Sequence, residues 1–240
     1  MKPPAKSKHQ DARQRLQALR EAVCAANRGI HRAGLVTEHS GNASGIDRTL
    51  GLVAIKPSGV DYESLTPEML PITDLQGRRF AMPGMADAGL KPSVDLPHHL
   101  YLYRSMKDLG GVVHTHSNYA TSFALLGRPI PAWLTAIADE FGESIPCAPY
   151  VDNQDEHIGE AILKHKNLAP AILLAQHGAF CWGASPRAAL KAAIMLEDVA
   201  RTCHLALLLG QPRPLPAEEV AKWHGRYYST YGQASRPGST

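Results

Sequence analysis

A chain of 240 residues, 44% hydrophobic and 20% charged, has the make-up of one large globular domain and excludes a disordered or fibrous polymer. Its 25 Lys and Arg against 22 Asp and Glu leave a net charge of +3 with no basic block, which argues against a nucleic-acid partner. Twelve histidines against four cysteines direct any search for metal ligands towards imidazoles and carboxylates. The cysteines, Cys24, Cys147, Cys181 and Cys203, are widely spaced with no C-x-x-C, the pattern of reduced thiols in a cytoplasmic protein. No apolar run is long enough to span a bilayer, and the opening MKPPAKSKHQ is polar, so neither a membrane partner nor a signal peptide is expected.

Residues 1–10 and 234–240 are rich in Pro, Gly, Ser and Lys and are expected to fray, leaving residues 11–233 as a single domain. From Asp11 to Arg32, Leu16, Leu19, Val23, Ala26 and Ile30 keep the three-and-four spacing of an amphipathic helix that Gly34 stops. Glu38–Gly45 reads as a turn-rich segment and Leu52–Ile55 as a short strand. Thr66-Pro67-Glu68 reads as a cap and first turn of a short helix, and Pro83–Gly89 as a loop. Pro97 opens a helix carrying Leu100, Tyr101 and Met106; Gly110–His116 reads as a buried strand and Asn118–Leu126 as a helix. Ala171–Ala175 and Ala179–Trp182 are further strands, and Ser185-Pro186 caps a long helix ended by Gly210 and Pro212. With no internal repeat and no long linker, this alternation indicates one α/β domain.

The strongest chemical signal is His114-Thr115-His116. Residues two apart in a strand project from one face, so both imidazoles can reach one metal. Taken alone, such a pair is more often chance or structural than a pair of ligands. His177 follows an apolar strand, with Gly178 letting the backbone turn closely behind it, and Asp95 lies in a loop just before a helix. Three imidazoles and one carboxylate suit Zn²⁺, and also Mn²⁺, Co²⁺ or Ni²⁺.

The segments Gly41-Asn42-Ala43-Ser44, Ile55–Tyr62, Lys91-Pro92-Ser93-Val94-Asp95, Gly111–Ser117 and Gln176-His177-Gly178 resemble, in this order, the class II aldolase family, which includes sugar-phosphate epimerases and the head domain of adducin. The resemblance runs from about Leu16 to Gln233. It is closest to the epimerase branch. The loop acid is Asp95 where fuculose-phosphate aldolases usually carry glutamate, Ile137–Cys147 resembles the segment holding the epimerase aspartate, and Tyr231-Gly232-Gln233 resembles the epimerase terminus.

The resemblance implies a three-layer fold with a central, mainly antiparallel sheet flanked by helices. It makes Asp95, His114, His116 and His177 a zinc site, and Asp139 and Tyr231 an acid/base pair. Asn42, Ser44, Lys56, Ser58, Gly59 and Ser93 become the phosphate-binding set. It further implies a cyclic homotetramer in which the acid/base pair reaches the site from the neighbouring subunit. The implied reaction interconverts L-ribulose 5-phosphate and D-xylulose 5-phosphate, a small phosphorylated sugar pair, by retro-aldol cleavage of C3–C4 and re-addition. Cleavage is needed because the C4 hydrogen is not α to the C2 carbonyl; metal Lewis acidity and two proton-handling groups complete the chemistry. A same-family aldolase or lyase and a non-catalytic, adducin-like interaction module are the rival readings. The chain departs from the family at Val94, often a second serine, and at Ile137 and Glu140, which stand where the epimerase motif has His and Tyr. The stretch from Trp223 to Tyr231 is short for the branch, which leaves the counterpart of the family's C-terminal histidine open at His224.

Plainer roles are expected elsewhere. His98 and His99 are adjacent on a helix and cannot both point one way, so a supporting role behind a ligand is weighed for His99 first and for His98 less. His9, His31, His157, His165 and His204 read as surface residues. Glu197 either faces the site or, the simpler account, pairs with Arg201 one helical turn on. Lys56 could be a solvated strand-end lysine, Asp139 a turn cap and Tyr231 a surface aromatic.

Overall fold

Leu16, Leu19, Val23, Ala26 and Ile30 are all buried, so the first helix, α1 (Lys8–Arg32), forms as one apolar stripe laid on a sheet. The computed structural model describes residues 8–231. Residues 8–10, expected to fray, are already helical; residues 234–240, with Gly232 and Gln233, lie outside the described residues.

Seven strands build one sheet: β1 (Asn42–Asp47), β2 (Leu52–Ile55), β3 (Ile72–Asp74), β4 (Gly111–Thr115), β5 (Cys147–Ala148), β6 (Ala171–Leu174) and β7 (Gly178–Gly183). Their order is β3-β2-β1-β4-β7-β6-β5. Every pairing is antiparallel except β5 with β6. The remaining helices are α2 (Leu96–Ser105), α3 (Asn118–Leu125), α4 (Thr135–Phe141), α5 (His157–His165), α6 (Pro186–Leu209) and α7 (Ala217–Ser229). Alternate strand residues serve opposite faces. Val113 and Cys181 join Ile30, Phe123 and Leu196 in one core, whereas Val112 and Phe180 join Leu100, Tyr103 and Ile158 in another. The result is the expected three-layer α/β arrangement, with each fully buried Leu, Ile or Phe contributing about 1.5–3 kcal/mol.

The turn-rich reading of Glu38–Gly45 needs correction: its second half is β1, a buried strand in the sheet interior. Small residues are there because helices press on it. A Cβ on Gly45 would lie 2.9 Å from Val23 Cγ2 and 2.7 Å from Pro186 Cγ. The Asn27 side chain then pins α1 to the strand, donating to the Ala43 carbonyl at 3.0 Å and accepting from its amide at 2.8 Å.

Thr66-Pro67 opens only a single 3-10 turn, Pro67–Met69, with no side-chain cap. The α6 cap is as expected: Ser185 Oγ accepts from the Ala188 amide at 3.2 Å. Glu197 differs. Its carboxylate does not pair with Arg201 but accepts the Tyr119 and Ala120 amides, each at 2.9 Å, and so caps the otherwise unpaired start of α3. Among the described residues, no helix is long and apolar enough to cross a membrane.

The site is assembled at one edge of the sheet. Asn42 at the start of β1 pairs with His114 near the end of β4, and Lys56 follows β2 on the same side. The β6–β7 turn carries His177, and the segment leaving β5 emerges at the same edge.

Candidate metal centre and substrate pocket

β4 ends by projecting His114 and, just beyond the strand, His116 towards the same side, as its two-residue period requires. The β6–β7 turn brings His177 to them, and the three nitrogens lie within 4.8 Å of one another. Ring centroids are 4.6 to 5.1 Å apart. Two local features force this turn: Gln176 takes a positive φ of 58°, and Gly178 tolerates no side chain. A Cβ there would sit 2.5 Å from the Thr115 carbonyl oxygen and 2.6 Å from His116 Cδ2.

The donor set fits a divalent metal. His114 Nδ1–H donates to the Ala179 carbonyl at 3.0 Å, which leaves Nε2 as a bare lone pair facing His116 Nε2 at 2.9 Å. Burial holds the His114 imidazole well below its ordinary range; Asp95 opposes this and the neighbouring histidines reinforce it. Burial also lowers His116 and His177. Neutral imidazoles with converging lone pairs are what metal binding requires. Asp95 borders the same cavity with its Oδ2 held by Asn42 Nδ2 at 2.6 Å. Burial opposes its ionisation, but the His114 and His99 rings and the Asn42 amide overcome that and keep its carboxyl below the usual carboxylate range.

The cavity measures about 380 Å³, and its wall includes Lys56, Ser58, Gly59 and Ser93 beside the three imidazoles. Two loops are zipped together to form that wall: the Ser58 amide donates to the Lys91 carbonyl at 3.0 Å, and the Ser93 amide to the Lys56 carbonyl at 2.9 Å. Lys56 is 2% exposed, and among the described residues no carboxylate pairs with it. Its ammonium rests over the Tyr62 ring, 4.5 Å from the centroid, and burial lowers its affinity for the proton. Lys56 is therefore buried, not a solvated strand end, and a buried cation without a paired carboxylate can receive an anion.

Two residues of the expected phosphate set are turned elsewhere. Asn42 donates both to Asp95 and to Ser93 Oγ (3.1 Å), so its unspent atom is the carbonyl Oδ1, an acceptor that a phosphate cannot use. Ser44 lies one step deeper in β1, fully buried, its hydroxyl bonded to His99 Nδ1 at 2.7 Å and Tyr103 OH at 2.8 Å.

The family model for the class II aldolase and adducin N-terminal domain matches residues 21–204. The chain belongs to that family. L-ribulose-5-phosphate 4-epimerase UlaF of Salmonella paratyphi C (strain RKS4594) is 38% identical over 205 residues, covering 80% of this chain and 86% of the relative. An L-fuculose 1-phosphate aldolase structure superposes with a TM-score of 0.77 at 25% identity, over 88% of this chain and 96% of that one. YgbL from Klebsiella pneumoniae, a putative aldolase/epimerase/decarboxylase, gives 0.72 at 28% identity, over 87% and 98%.

Within this class II aldolase domain, Asp139 and Tyr231 are not among the residues that line the imidazole cavity. They lie on neighbouring elements. Asp139 is inside α4, not at a turn, with Oδ1 buried and unpartnered. α7 packs on α4, and His224 Nδ1 donates to the Asp139 carbonyl at 3.2 Å. Tyr231 follows α7, 62% exposed, its ring stacked on Tyr227 at 5.1 Å.

Sequence reasoning missed His98. It is fully buried, and its Nε2–H donates at 2.8 Å to Oδ1 of Asn153, which lines the cavity. His99 supports Ser44 from behind instead, and burial pushes its pKa down to about 4. Unfolded, His99 takes up a proton near 6.5; folded, only near 4. The unfolded chain therefore binds more protons in that window, so stability is complete above it and falls as pH drops through it. At about 1.4 kcal/mol per pH unit, His99 alone should remove roughly 2 kcal/mol between pH 6.5 and 5. Urea unfolding in chelator should show this fall on top of that from the other buried imidazoles, and His99→Gln should make the profile shallower by that amount; a profile unchanged in His99→Gln would refute the assignment.

Proposed function

We propose that the protein is a divalent-metal-dependent epimerase interconverting L-ribulose 5-phosphate and D-xylulose 5-phosphate, with Zn²⁺ as its ion. The likeness to UlaF at 38% identity over most of both chains carries this reading, and the neutral imidazole cluster beside a buried, unpaired lysine supports it. His114, His116, His177 and Asp95 would hold the metal. When bound, it supplies Lewis acidity to the ketose carbonyl.

The rest is done by the chain's own groups. Lys56, the Ser58 and Ser93 hydroxyls and the Gly59 backbone hold the phosphate, fixing the far end of the sugar while C3–C4 opens. Asn42 holds the Asp95 carboxylate in place. Asp139 and Tyr231 handle the C4 hydroxyl proton from the two sides of the rotating aldehyde, reaching the cavity from the neighbouring subunit of a homotetramer. Residues 11–233 form the single domain that does this, in the cytoplasm.

One observation favours an aldolase: the superposition on L-fuculose 1-phosphate aldolase. Incubating metal-loaded protein with L-ribulose 5-phosphate separates the readings. D-xylulose 5-phosphate is the expected product. Free glycolaldehyde phosphate without the epimer would make the protein a lyase, and purified protein without stoichiometric metal would favour a non-catalytic module.

A further inference from the structure

His98, in the first turn of α2, is 0% exposed, and its Nδ1 has no partner. Burying an imidazole half unpaired costs free energy that an apolar residue in the same place would not. The one side-chain hydrogen bond His98 makes runs to Asn153, in the loop between β5 and α5. Because Asn153 Oδ1 accepts that bond, the amide Nδ2 is oriented, and among the described residues it makes no hydrogen bond of its own. It is a pair of N–H donors on an exposed side chain at the cavity wall, fixed in direction by His98 and met by solvent until a ligand takes their place.

The order of the sheet says which end of a substrate they meet. Lys56 and Ser58 follow β2, and the imidazoles come from β4 and the β6–β7 turn in the middle. Asn153 comes from the segment after β5, at the opposite border. A sugar phosphate lying along this edge, its phosphate at Lys56 and its reacting carbons at the imidazoles, must present its remaining end to Asn153.

Building on the reading above, we propose that Asn153 is a specificity-determining residue that donates a hydrogen bond to the hydroxyl or carbonyl oxygen at the end of the sugar remote from the phosphate, with His98 its positioning residue. The matched substrate class is a ketose phosphate with a neutral oxygen at that end. One hydrogen bond of this kind is worth roughly 3- to 10-fold in affinity.

The test is calorimetric binding of L-ribulose 5-phosphate and, separately, inorganic phosphate to the metal-loaded protein. Asn153→Ala should weaken the sugar phosphate roughly 3- to 10-fold while leaving inorganic phosphate and metal content unchanged. His98→Ala should give the same loss, the double variant no further loss, and His98→Gln, which keeps an N–H donor, most of the affinity back. That non-additivity is a readout a purely structural histidine would not produce. Should His98→Ala fail to fold, Asn153→Ala and His98→Gln still decide. Unchanged sugar-phosphate affinity in Asn153→Ala overturns the inference, as does an equal loss for both ligands. Parent protein that binds L-ribulose 5-phosphate without epimerising it, with the Asn153→Ala loss intact, overturns the epimerase reading and leaves this inference standing. Parent protein that binds no sugar phosphate overturns both.

Discussion

Replacing His116 with alanine is expected to strip the protein of its metal and, with it, of turnover. His114 Nε2 faces His116 Nε2 at 2.9 Å, and the His177 nitrogen is within 4.8 Å of both, so removing one donor leaves a set too small for tight binding. Lewis acidity is worth several kcal/mol in the transition state, and 1.36 kcal/mol is tenfold, so the rate should fall by roughly 10³ or more. Because His116 lies half-buried just past the end of β4, the fold should survive, and the metal-free parent and variant should unfold at similar urea concentrations. Gly178→Ala should move metal affinity the same way by less, since its methyl meets the His116 ring. Metal analysis after dialysis and single-time-point product assays suffice. A His116→Ala protein that keeps stoichiometric metal would remove His116 from the ligand set.

What could be read from the chain in advance followed from how local the cause was. The His114/His116 pair is a period-two statement about one strand. The long α6 announces itself through Ser185, Pro186 and Gly210, all within a turn of its ends. β1 was misread because Gly, Ser and Asn are also the residues of turns; what makes them a strand is the pressure of Val23 and Pro186, which are distant in sequence. α4 and α7 escaped notice for a similar reason: α4 is seven residues long, and the only buried residue of α7 is Val220. Neither carries a stripe that stands out before the two are packed together. Ser44 and Asn42 sit in a motif that reads as phosphate-binding, yet their hydrogen bonds are claimed by Tyr103, His99, Ser93 and Asp95, 51 to 59 residues away in sequence. Asn153 carries no local signal at all. Its relevance lies in a buried histidine more than fifty residues earlier.

Mixing two inactive variants is expected to restore activity, the largest gain that any pair of substitutions here should produce. Tyr231→Phe removes a proton-handling hydroxyl and should keep its metal while losing roughly 10² to 10⁴ in rate. His116→Ala lacks the metal but retains Tyr231. In one chain, Tyr231 and Asp139 lie on the α4–α7 side, outside the imidazole cavity, and Tyr231 is 62% exposed with its ring between Tyr227 and the Arg226 guanidinium. If each site draws its metal from one subunit and its acid/base pair from the next, hybrids contain sites built from two undamaged halves. Random reassembly of equal amounts in a ring gives about a quarter of sites of that kind. Denaturing the two variants together, refolding them with metal and assaying epimerisation should therefore recover about a quarter of the parent rate, whereas each refolded alone stays inactive. The double variant Tyr231→Phe, His116→Ala, mixed with the parent instead, should poison sites beyond simple dilution, because each double-variant subunit spoils two of them. Absence of rescue in the first mixture, with tetramers demonstrably exchanged, would put Tyr231 and the metal in the same subunit or take Tyr231 out of the chemistry.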